Sequence, residues 1–188
     1  MGSPRRRESI STLASDVWVA FDRALRLAQK RSLSGPLDAW QRCRDEMRND
    51  IFSNFWDDLL QSFVQSKGTQ EVDASTLLMP MMRFISPVDP MWLSTMRTIE
   101  KRLVEDTLIR RYEVERTQVD GLPDGEGSFT ACSFWFVECL ARAGQSEKAQ
   151  LLLESFWAML ITLDCIQSSL AQTDNILASS RRHSHIWL

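Results

Sequence analysis

With 188 residues, 44% of them hydrophobic and 25% charged, the chain has the length and composition of one globular domain with a sizeable core. A net charge of -3, with Arg5, Arg6 and Arg7 as its basic triplet in a Ser-rich amino terminus, argues against nucleic acid as the main partner, because phosphate binding requires clustered Lys and Arg. Its four cysteines, Cys43, Cys132, Cys139 and Cys165, include no C-x-x-C pair and no secretory signal is visible, which fits a reduced, cytoplasmic interior rather than a disulfide framework or a zinc site.

Helical periodicity dominates the chain. Val17, Trp18, Phe21, Ala24, Leu25 and Ala28 predict a first helix of about four turns. "GPLDAWQRCRDEMRNDI" predicts a second, with Gly35 at the cap and Pro36 at the first helical position. Leu37, Trp40, Cys43, Met47 and Ile51 line its apolar face, and Gln41, Arg42, Asp45, Arg48 and Asn49 its wet one. After a loop near "VQSKGTQEV", Asp73 is placed to cap a third helix that Pro80 kinks or ends early. "SPVDPMW" opens a fourth, with Asp89 as N-cap and Pro90 in the first turn, burying Trp92, Met96, Ile99 and Leu103.

The stretch from Leu108 to Val119 reads equally as a short strand or an extended loop. Next comes "DGLPDGEGSFTACSFWFVECLARAG", an acidic, glycine-rich loop delivered onto a fifth helix, expected from about Ser128 to Ala143 and stopped by Gly144. Cys132 and Cys139, one heptad apart, mark its buried face. A sixth helix starts near Ser146. Its apolar run from Leu151 to Leu163 is broken by Glu154, Ser155 and Thr162 and falls short of a bilayer span, so no membrane segment is expected. No fixed repeat of the kind found in helical solenoids is present. The expected architecture is all-α, six helices in three inner/outer pairs.

Five segments carry a resemblance: "VWVAFDRALRLAQKR", "WQRCRDEMRNDI", "FVQSKGTQEVDASTLLMPMMRFISPVDPMW", "TIEKRLVEDTLIRRY" and "DGLPDGEGSFTACSFWFVECLARAGQSEKAQLL". In sequence and order they resemble the bacterial glycoside hydrolases of family 15, the glucoamylase and trehalase-like enzymes. That resemblance covers 17–153, leaving 1–16 and 154–188 as divergent terminal segments. It implies that the chain is about half of an (α/α)6 toroid, with a sugar-binding funnel formed by loops that lead into inner helices.

In such a funnel, Gly125 lets the backbone approach a sugar, and Glu126 and Asp124 are placed to bond hydroxyls. Two alternatives stand beside that assignment. Glu126 also reads as a first-turn acid that stabilises the helix N-terminus, and Asp120 and Asp124, with Gly121 and Gly125, as turn formers. Phe129, at the loop end, is placed for stacking on a sugar ring, while Phe134, Trp135 and Phe136 read as core. The acid spacing does not match a calcium loop, and His183 and His185 have no acidic or thiol neighbour in sequence, so neither metal nor cofactor is expected.

The family's inverting chemistry uses two carboxylates, a general acid in a Trp-Glu motif and a general base in a Glu-Glu motif followed by Asn-Phe-Pro-Gln. This sequence contains none of these motifs. The expectation is therefore an incomplete hydrolase domain, ancestrally acting on α-glucosides and inactive alone, its flanks arising from a change of reading frame. The alternative is a helical interaction module that pairs its exposed apolar faces with a second copy or a complementary fragment.

Overall fold

A computed structural model describes residues 11–105, 107–112, 130–159 and 161–162. Helix α1 (Ser11–Arg31) pairs with α2 (Leu37–Asn54). A hairpin of β1 (Trp56–Asp57) and β2 (Ser62–Phe63) follows, then a 3-10 turn (Ala74–Leu77) running into the short α3 (Leu78–Met81). Helix α4 (Pro90–Leu103) leads into a second hairpin, β3 (Val104–Glu105) with β4 (Leu108–Ile109). Helix α5 (Thr130–Arg142) and α6 (146–159, with 161–162) complete the third pair. Among the described residues this is about half of an (α/α)6 toroid.

Helix α1 is longer than its apolar stripe alone predicts. Asp22 sits on its buried side with Arg23 at 2.8 Å and Arg26 at 2.7 Å, the second an i,i+4 pair that supports the helix as it continues. Trp18 from the same face meets the Phe84 ring edge-on, with centroids 5.0 Å apart. At the start of α2, Pro36 occupies the N-cap and not the first helical position. Its carbonyl accepts from the backbone of Ala39 and Trp40, so the helix opens without a side-chain cap.

Arg48 departs from the sequence expectation of a wet face. It lies over the rings of Phe52 and Phe84, at 4.8 and 5.2 Å from their centroids, and donates to the Phe84 carbonyl at 2.6 Å. An arginine stem covers apolar surface while its planar head keeps donating, so an arginine on the margin of an apolar stripe turns inward wherever a carbonyl awaits it. Here the carbonyl lies just beyond α3, where Pro80 has shortened the helix and Arg83 turns back at φ 64°. Arg23 donates to the neighbouring Met82 carbonyl at 2.9 Å. Two arginines from the first helix pair thus bind the exit of the third helix.

The caps read at Asp73 and Asp89 are present. Asp89 accepts from the Met91 amide at 2.9 Å ahead of Pro90, and Trp92, Met96, Ile99 and Leu103 are buried. The undecided stretch begins as strand: Leu108 and Ile109 pair with Glu105 and Val104, and its remainder from 113 lies outside the described residues. Cys132 and Cys139 share the buried face of α5, which ends near Gly144 at φ 81°.

The core joins Ile51, Phe55 and Phe63 to Trp92, Met96 and Ile99, and through these to Phe136 and Leu140. Replacing Ile99 by Ala opens a cavity in fully buried surroundings and is expected to cost about 2–5 kcal/mol. Leu59→Ala, at a side chain 86% exposed, is expected to stay within about 0.5 kcal/mol of the parent. Urea unfolding followed by circular dichroism measures both.

Candidate functional site

Glu126, Gly125, Asp124 and Phe129 lie outside the described residues, as do Asp120, Gly121 and Cys165. What the structure places are the two anchors of the segment that carries the four candidates. On the entry side, β4 delivers Arg111 and Tyr112 to the cap of the 3-10 turn. The Ala74 amide donates to the Arg111 carbonyl at 2.8 Å, and Tyr112 forms an antiparallel bridge with Asp73. On the exit side, α5 packs on the same ground along its length. The Ile109 amide donates to Ser133 Oγ at 3.0 Å, and Cys139 Sγ donates to the Leu77 carbonyl at 3.2 Å. The described residues on either side of 113–129 therefore meet on one patch around the 3-10 turn.

Asp73 is the centre of that patch. Its Oδ1 accepts from the Ser75 amide at 2.7 Å, its carbonyl accepts from Thr76 Oγ1 at 2.8 Å, and its Oδ2 faces Gln65 Nε2 at 3.5 Å. Burial of a carboxylate is tolerable here because it meets backbone donors at a helical N-terminus. Gln65 is itself fixed by the loop from 65 to 71, closed by its amide donating to the Glu71 carbonyl at 2.7 Å and turned by Gly68 at φ 75°. The Gln65 Oε1 atom is buried with no protein donor among the described residues.

Two thiols report the electrostatics. Burial pushes the Cys132 thiol up to about 11, and the nearby Asp73 charge adds to it, opposed by Arg111 and by a backbone hydrogen bond. Burial, reinforced by Glu138 and opposed by Arg142, takes Cys139 to about 12. Both thiols are neutral near pH 7 and are not nucleophiles.

Asp73 is occupied as a cap, and among the described residues no group of three or more His, Cys, Asp or Glu that could hold a metal ion is gathered. Of the aromatics on α5, Phe136 is buried and Trp135 packs on the core, while the partly exposed Phe134 lies against the Phe156 ring at 5.8 Å. The sequence reading had identified Asp73 but not Gln65, Arg111 or Tyr112. "LIRRY" carried a β signal, yet its partner lies far upstream, and short-range periodicity does not reveal such a bridge.

The sequence matches the glycosyl hydrolases family 15 over residues 5–174. A trehalase of Thermoplasma acidophilum is 38% identical over 139 residues, 73% of this chain and 23% of the relative. A trehalase of Mycobacterium tuberculosis is 39% identical over 137 residues, 73% of this chain and 20% of the relative. The chain thus spans less than a quarter of the length of these relatives. A solved structure described as "Glycosidase Wild Type" superimposes with a TM-score of 0.66 at 19% identity, covering 78% of this chain and 38% of that one, a likeness of fold.

The buried thiols yield a pH prediction. Their folded pKa values lie above the ordinary 9.0, so the folded state holds protons that the unfolded chain releases. Their contribution to stability is complete below about pH 9 and is lost progressively as pH rises toward about 11–12. Urea midpoints measured from pH 8 to 10.5 are expected to fall, and to fall less steeply in the Cys132→Ala, Cys139→Ala double variant.

Proposed function

The chain belongs to the glycosyl hydrolases of family 15, and from that premise we propose that it supplies a sugar-binding wall of a trehalase-like hydrolase. The observation that carries this reading is the ordered match, over nearly three quarters of the chain, to proteins named trehalases. The substrate class is accordingly trehalose, two glucose units joined through their anomeric carbons.

In this reading the segment 113–129, held at Tyr112 and Ser133, presents Glu126 and Asp124 to sugar hydroxyls. Gly125 admits the backbone, and Phe129 offers a ring face. In the same reading 17–153 is the core of the domain, and the family match continues beyond it into 5–16 and 154–174. Inverting hydrolysis needs two carboxylates about 6.5–9.5 Å apart, one protonating the leaving oxygen and one activating water. With neither the Trp-Glu nor the Glu-Glu motif in the sequence, binding is assigned to this chain and the bond-breaking step to none of its residues. The free Cys43, Cys132 and Cys139 favour a reducing, cytoplasmic setting, and among the described residues no helix is long and apolar enough to cross a membrane.

A second reading, a helical module that associates with itself, is favoured by Leu151, Trp157 and Ile161, all more than half exposed on α6.

The purified chain is expected to bind trehalose by saturation-transfer NMR, with Glu126→Gln weakening binding about tenfold through a lost charge-assisted hydrogen bond. A coupled assay is expected to detect no released glucose. Glucose release would place an acid-base pair within this chain. Absence of binding to trehalose, maltose and glucose alike would overturn the sugar-binding reading.

A further inference from the structure

Among the described residues, the contacts around Asp73 leave a buried side-chain acceptor without a donor. Gln65 is 5% exposed, and its Oε1 atom has no hydrogen-bond partner there. A buried amide oxygen in that state has lost its hydration and gained nothing in exchange, so it calls for an explanation. Trp18 Nε1 and Trp92 Nε1 also lack partners among those residues, but both rings belong to the apolar core. Gln65 faces a carboxylate instead.

That carboxylate settles which way the amide lies. Nε2 faces Asp73 Oδ2 at 3.5 Å, and turning the amide over sets Oε1 against it, two acceptors together. Oε1 is thereby the atom kept for another donor, and the charge behind Nε2 makes it a stronger acceptor.

The backbone beneath is equally fixed. The Gln65 amide donates to the Glu71 carbonyl at 2.7 Å, and the Val64 amide to the Phe55 carbonyl at 2.8 Å. The loop that Gln65 opens is tied down by Lys67 on Asp50 at 2.7 Å and by Arg102 on the Gln70 carbonyl at 2.8 Å. An acceptor set in place beforehand gives up little freedom when a ligand arrives.

We propose that Gln65 is a binding residue for a hydroxylated ligand, its Oε1 accepting from one hydroxyl of a bound sugar. This rests on the sugar-binding reading and adds to it an acceptor outside the glycine-rich segment. So little of Gln65 is exposed that a single hydroxyl, not a ring face, is what reaches it. The contact therefore distinguishes one position of the sugar, because a ligand lacking that hydroxyl leaves the amide oxygen unpaired.

Calorimetric titration of the full chain with trehalose and its monodeoxy derivatives, one hydroxyl removed at a time, tests it. One derivative is expected to bind the parent chain about tenfold more weakly than trehalose. In Gln65→Met, which keeps the length but offers only a weak thioether acceptor, the difference is expected to shrink to within about twofold. A second measurement needs no variant: the Gln65 side-chain carbonyl 13C resonance of the parent chain is expected to shift with trehalose and to stay in place with that one derivative. Equal binding of every derivative overturns the contact, as does a carbonyl resonance that trehalose leaves unmoved. Uniform weakening of trehalose and all derivatives in Gln65→Met also overturns it, assigning the amide to the fold or to a buried water. No binding of trehalose or any derivative to the parent chain overturns the sugar-binding reading itself.

Discussion

A single carboxylate organises the part of this protein that faces its candidate site. Asp73 receives the Ser75 amide at the start of the 3-10 turn and stands opposite Gln65 from the preceding loop, while its backbone pairs with Tyr112. The loop just before Asp73 and the distant strand end at Tyr112 therefore meet at one residue. A buried carboxylate is stable only where backbone donors and helix ends gather around it, and the 3-10 turn provides them. Its cost and its usefulness have one origin: the charge that must be satisfied is also what fixes the neighbouring segments in place.

Arginine does comparable work on the other side of the core. Pro80 cuts α3 to four residues, and the chain turns back at Arg83 with carbonyls exposed at Met82 and Phe84. Arg23 and Arg48 reach these carbonyls from α1 and α2, and Arg48 is steadied over two stacked rings. The first helix pair is thus linked to the second by directional bonds as well as by apolar contact. Directional contacts fix orientation in a way that greasy surfaces alone do not, since the hydrophobic effect is roughly proportional to area and indifferent to angle.

Much of this was legible from the chain. Asp73, Asp89, Pro90 and Gly144 announced helix ends because capping chemistry acts over two or three residues. The heptad from Cys132 to Cys139 announced a buried face because helical periodicity is local as well. Arg48 was misread because the same hydropathy describes an arginine in water and one laid over an aromatic ring. Arg111 and Tyr112 were silent because their pairings with Ala74 and Asp73 skip whole helices, and Gln65 because its partners lie within a loop that has no periodic pattern. Glu126, Gly125, Asp124 and Phe129 were read from the sequence and lie outside the described residues, whereas the contacts that flank them involve residues that reading passed over.

The hydrogen bond from Ile109 to Ser133 spans 24 positions and encloses the whole of 113–129. The entropy lost in closing such a loop grows only with the logarithm of its length, so doubling the loop adds about 0.6 kcal/mol. A segment fastened at both ends to a rigid patch can therefore lengthen, shorten or change composition with little effect on the stability of the helices beneath it. The anchors set a fixed frame, and what the sequence places between them is thermodynamically cheap to rewrite.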